Sequence, residues 1–192
     1  MTIHVGATLT PPFREFLPPW VARQPWYRGT SVPALRPVGF FRFEDPAGQV
    51  GLETHLVTDG SNLYQIPLTY RGARADGLAL VTTAEHSVLG TRWIYDGQAD
   101  PLWRERVLHV VRTGGVSDPS SRQGVGNAEA LGEQLVPGPL TADSVRVEPR
   151  RVLTTGTPAL PPDAVGLLMG TWYPDGPGTT AVTGCLAVVV PV

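Results

Sequence analysis

The chain contains no lysine. All 15 of its basic residues are arginine, which fits a GC-rich coding sequence better than selection of each residue for its guanidinium. The absence removes the lysine of a G-x-x-x-x-G-K-[ST] phosphate loop and the lysine that follows a kinase glycine-rich loop. Cysteine is almost as scarce. Cys185 stands alone, so no internal disulfide forms, and the count fits a reducing compartment. No apolar run approaches the ~18 residues of a membrane span. The opening MTIHVGATLTPPF has neither the basic nor the apolar region of a signal peptide. A cytoplasmic protein is predicted, with no membrane partner. Charge is sparse as well. The formal net charge of -2 argues against nucleic acid as a partner, because phosphate binding needs a basic surface.

What is present describes a folded chain. Length is 192 residues and hydrophobic content 42%, enough to bury about 70% of the surface an unfolded chain exposes. Phe13, Phe16, Leu17, Trp20 and Val21 follow helical spacing. Pro18 and Pro19 interrupt it, predicting two short helical pieces with a proline opening the second. Alternation then predicts strands over 35–44, 49–58 and 63–71, joined by the turns Asp45-Pro46-Ala47-Gly48 and Asp59-Gly60-Ser61-Asn62. Pro67 inside the third run predicts an edge position or a bulge. Residues 78–82 and 89–95 read as two more strands. Asp100-Pro101 predicts a helix start and Gly114-Gly115 its end, with Trp103, Val107, Val110 and Val111 as the apolar stripe. Residues 116–143, rich in Gly, Ser and Pro, read as a linker or long loop with a short helix at 127–135. Further strands are expected over 144–153, 164–173 and 180–190. The predicted class is α+β. It has an antiparallel sheet packed against short helices over 1–115, and 144–192 adds antiparallel strands that pack on the same sheet.

Few residues fit a reactive site. His4, His55, His86 and His109 do not pair with other ligands at zinc spacing, so no metal and no cofactor are predicted. Cys185 sits among apolar residues and reads as a small buried hydrophobe. No G-x-S-x-G elbow occurs, Gly124-Val125-Gly126-Asn127 is too short a glycine pattern to hold phosphate, and Asp100 serves as a helix cap rather than as the partner of Asp96 in an acid pair. No catalytic residue is named. The aromatics carry more information. Trp20, Trp93 and Trp103 suit a helix–sheet core. Trp26 and Tyr27 leave the helix beside Arg28 and suit either packing or an exposed platform on which a sugar stacks. With His86 they form the candidate ligand- or partner-binding set.

Three stretches, Phe16–Gly29, Tyr64–Ala73 and Glu85–Pro101, resemble the N-terminal cap domain of the maltokinases. Those bacterial kinases phosphorylate maltose on the route from trehalose to α-glucan. The likeness rests on the Gln24-Pro25-Trp26-Tyr27-Arg28-Gly29 step, the Tyr64-Gln65-Ile66-Pro67-Leu68 strand and the segment from Tyr95-Asp96 to Asp100-Pro101. It covers roughly residues 12–113 and is similar to that of the stand-alone cap-like proteins of actinobacteria. The resemblance implies a curved sheet of cystatin-like look and no catalytic residue, since the cap carries none in the kinases. It also implies a non-catalytic accessory or regulatory role. The partner would be a sugar kinase or an enzyme of trehalose, glycogen or other α-glucan metabolism. A module binding a sugar or sugar phosphate through exposed aromatics is the alternative, and an enzyme without a nameable catalytic set is a third.

Overall fold

The structure, a computed structural model, describes residues 4, 6–118, 128–156, 159–176 and 178–192. Two α-helices occur among them, α1 (Phe13–Val21) and α2 (Pro101–Thr113). The N-terminal strands are β1 (Leu9–Thr10), β2 (Arg36–Phe43), β3 (Gly51–Thr58), β4 (Leu63–Arg71), β5 (Leu80–His86) and β6 (Gly90–Asp96). The later ones are β7 (Glu129–Gln134), β8 (Val145–Pro149), β9 (Val152–Leu153), β10 (Gly166–Trp172) and β11 (Val182–Pro191). The fold is α+β, as the sequence implies. A curled antiparallel sheet runs β1-β5-β6-β4-β3-β2, and β9 adds to β4. A second antiparallel sheet runs β7-β10-β11-β8.

Alternation sets what each face buries. Tyr64, Ile66, Leu68 and Tyr70 of β4 turn toward α1 and pack with Phe16, Trp20 and Val21. On the opposite face Phe41, Leu52 and Leu56 pack with Trp103 and Val107 of α2 and with Leu168, Trp172 and Leu186 of the second sheet. Residues from both ends of the chain thus share one core. The layers run α1, first sheet, then α2 and the second sheet.

The caps of α2 follow the sequence. The Asp100 carboxylate accepts from the Leu102 amide at 3.0 Å, Pro101 fills the first turn, and Gly114 takes φ 59° at the C-cap. Other expectations change. α1 is one continuous helix with Pro18 and Pro19 inside it. The hydrogen bonds those prolines forgo would have reached the carbonyls of Arg14 and Glu15, and both residues lie on the exposed side of the helix. Pro67 lies in an interior strand without a bulge. It is tolerated because β4 changes partners there. Residues 63 and 64 pair with β9, residues 68–71 with β6, and Pro67 falls in the gap. The region 127–135 holds a strand rather than a helix from Glu129 onward; residue 127 is outside the described residues, as are Gly124, Val125 and Gly126. Small residues decide this. Ala128, Ala130 and Gly132 are buried and alternate with exposed Glu129, Leu131 and Glu133. Gly132 lets β7 approach α2 so closely that a Cβ there would lie 2.2 Å from the Val110 carbonyl oxygen. Of the described C-terminal strands, β9 is the one that pairs in register with a strand of the first sheet.

Candidate functional site

The step after α1 is built by consecutive turns. Arg23 donates to the Trp20 carbonyl at 3.1 Å, Gln24 to Val21 at 2.9 Å and Tyr27 to Gln24 at 3.1 Å. The Gln24 side-chain amide also donates to the Trp20 carbonyl at 3.0 Å. These turns fold Trp26 and Tyr27 back onto β4. The Trp26 ring lies 5.9 Å from Trp20 and 5.7 Å from Tyr64, and the Tyr27 ring lies 5.8 Å from Tyr64. The Tyr27 hydroxyl donates to the Ser31 carbonyl at 2.8 Å. Gly29 is required where that ring passes, since a Cβ would sit 2.2 Å from the Tyr27 hydroxyl. Beneath them the Tyr64 hydroxyl donates to Asp59 at 2.8 Å. Burial, then the Asp59 bond and charge, push the Tyr64 phenol up to about 12.

Arg151 closes this cluster from the C-terminal part of the chain. It occupies the gap in β4 between β9 and β6. Its guanidinium carbon lies 5.4 Å from the centre of the Trp26 ring, within cation–π range. Nη2 donates to both Asp96 oxygens, to Oδ2 at 2.6 Å, and Nε donates to Gln98 Oε1 at 3.0 Å. Arg151 is buried, and its Nη1 has no hydrogen-bond partner among the described residues. Trp26, half-buried, is therefore contacted by Trp20, Tyr64 and Arg151.

Arg28 is exposed beside this cluster. His86 lies elsewhere, at the turn between β5 and β6. Its Nδ1 accepts from the amides of Val88 at 3.1 Å and Leu89 at 3.2 Å, and its ring meets His4 edge-on at 5.9 Å. Burial first, then His4 and Arg92, hold its pKa below the usual imidazole value, which suits a neutral ring closing a turn. The structure thus brings Trp26 and Tyr27 together and leaves the exposed Arg28 side chain and His86 outside their contacts. Trp20 and Trp103 are buried, whereas Trp93, expected in the core, is half-buried on β6.

A second polar group was not singled out by sequence reasoning. Glu53 and His55 of β3 and Tyr70 of β4 share the α1 face. His55 Nε2 lies 3.2 Å from the Tyr70 hydroxyl and 3.4 Å from Glu53 Oε2. The His55 ring is flanked by Phe13 at 4.7 Å and by Phe40 at 5.9 Å. Burial opposes ionisation of Glu53, but the bond to His55, the His55 charge, Tyr70 and Arg42 outweigh it and lower the carboxyl pKa. Burial, then the Glu53 charge, raises the Tyr70 phenol well above its usual value. The available signal was Glu53 and His55 at i and i+2 in a strand, which places two titratable groups on one face. Tyr70 follows only from the β3–β4 register.

Among the described residues no three His, Cys, Asp or Glu side chains converge to hold a metal, and no helix is long and apolar enough to cross a membrane. Residues 20–100 match the family model of the maltokinase N-terminal cap domain. The match is less than half of the chain and takes in Trp26, Tyr27, Tyr64 and Asp96, while Arg151 lies beyond it. No curated protein and no solved structure matches the chain.

Proposed function

We propose that this protein is a non-catalytic accessory or regulatory protein of maltose, trehalose and α-glucan metabolism. In this reading it docks on a sugar kinase or a glucan enzyme. The match of residues 20–100 to the maltokinase cap domain carries the reading. Supporting it, the rings that would serve as a sugar platform are occupied by Trp20, Tyr64 and Arg151, and the 192 residues supply no lysine for phosphoryl transfer. The test is calorimetry and sizing of the purified protein with a maltose kinase and with α-glucan-forming enzymes, alongside kinase rates with and without it. A complex of micromolar affinity, or a changed KM, is expected with at least one enzyme. Separate elution together with unchanged kinetics across the set would overturn the reading.

A module for a sugar or sugar phosphate is the alternative, favoured by the exposed Arg28 guanidinium beside half-buried Trp26 and Tyr27. Titration with maltose and maltose 1-phosphate decides it. Binding heat abolished in Arg28→Ala would establish the alternative, and no heat at millimolar ligand would dismiss it.

A further inference from the structure

Two surfaces on opposite sides of the molecule carry matching patterns. The first is on the outer face of the second sheet. Cross-strand register aligns Val116, Leu131, Met169 and Cys185 in one row. The row emerges toward β7. Cys185 is buried, whereas Leu131 is 48% and Val116 53% exposed. Ala130 and Gly132 point inward, so Glu129 and Glu133 share the outer face with Leu131. Both carboxylates are exposed and have no ion-pair partner among the described residues. The row is thus an apolar strip with an anion on either side.

The second surface is a groove of about 640 Å³ between α1 and the segment leading into β2. Pro18, Pro19, Val32 and Leu35 wall it, and Val32 is 61% exposed. Arg14 and Arg36 stand at its rim, both exposed and without an ion pair among the described residues, with Glu15 beside Arg14. It is an apolar depression with two guanidiniums where the first surface has an apolar strip with two carboxylates.

We propose that a second copy of this chain docks its Leu131 strip into the Arg14–Arg36 groove. Charge complementarity selects this occupant, since each copy carries both halves of the match. α1 covers one face of the first sheet and the strip lies on the far face of the second. The contact is therefore head to tail, and each copy keeps one strip and one groove free for the next. The contact pairs exposed charges, so added salt weakens it. The inference does not depend on the metabolic reading above.

Sedimentation velocity from about 10 μM to about 1 mM tests it. The wild type is expected to associate progressively, and less so at high salt. Glu129→Arg with Glu133→Arg in one protein, and Arg14→Glu with Arg36→Glu in another, each set like charges against like. Each is expected to weaken self-association at least about tenfold, since like-charge juxtaposition is strongly unfavourable. Mixing the two variants restores opposite charges at every contact and is expected to recover association. All four positions are exposed, so thermal midpoints near wild type check folding. Leu131→Ser provides an independent variant that removes the apolar contact without changing charge, and it too should weaken association. A wild type that stays monomeric throughout overturns the proposal. So does association indifferent to the charge reversals and to Leu131→Ser, or a mixture that fails to recover.

Discussion

Replacing Asp100 tests how the start of α2 is fixed to the first sheet. Its side chain is fully buried and accepts from the Thr69 hydroxyl at 2.8 Å, from Arg71 Nε at 2.9 Å and Nη2 at 2.8 Å, and from the Leu102 amide at 3.0 Å. Asp100→Ala removes a helix cap, which costs about 1 kcal/mol. It also strands the Arg71 guanidinium. Removing one partner of a buried pair costs about 3–5 kcal/mol, but the Arg71 side chain is 26% exposed, so water recovers part and about 2 kcal/mol is the better figure. The sum is about 3 kcal/mol. With a urea slope of about 2 kcal/mol per molar for a chain of this size, the midpoint falls by about 1.5 M in a tryptophan-fluorescence titration. The thermal midpoint falls by about 6–12 °C. Asp100→Asn keeps the cap and the volume, so it should cost less than alanine. Arg71→Met leaves a carboxylate with no exposure and should cost more than Asp100→Asn. A fall of under about 0.5 M for Asp100→Ala, or the reverse order of the last two variants, would refute the reasoning.

Three further outcomes are expected. Gly132→Ala forces β7 away from the Val110 carbonyl and should cost about 2 kcal/mol or more by overpacking, read as a lower urea midpoint. The pKa of Glu53 is depressed in the fold, so its contribution is present above the unfolded carboxyl value and is lost as pH falls through the folded one; Glu53→Gln should be less stable than wild type at pH 7, with the gap closing as pH falls below the unfolded carboxyl value. A chain cut after Gly115 removes Leu168, Trp172 and Leu186 from the core around Trp103 and should melt without a cooperative transition by circular dichroism, whereas a sharp two-state melt would show that the first 115 residues hold together unaided.

The helix at 101–113 and the first meander were legible because their signals are local. A capping aspartate, a first-turn proline, a terminal glycine and period-2 alternation each act within a few residues. β7 was not, because its sequence suits a helix and only the packing of Ala130 and Gly132 against α2 makes it a strand. Pro67 misled for a related reason. The gap that accepts it is made by β9, far along the chain. For the candidate site, Trp26 and Tyr27 were visible as aromatics leaving a helix. Arg151 gave no sign of lying over Trp26, since no spacing rule joins positions so far apart. Glu53 and His55 were visible as strand neighbours, but their partner Tyr70 depended on register.

The change of partners along β4 also bears on how the chain comes to be folded. The Gln65 side-chain amide donates to the Leu186 carbonyl, 121 residues away, and β9 covers the flank of β4 beside it. At about 5–20 residues per second, a ribosome would need about 6–24 s to make the segment that completes this flank. During that interval β4 of the incompletely folded chain has unpaired backbone groups beside Tyr64 and Ile66, an open edge on which other chains can add. Pro67, which cannot donate to such a ladder, stands in that edge as a guard against wrong pairing in the nascent chain as well as a residue the finished fold accommodates.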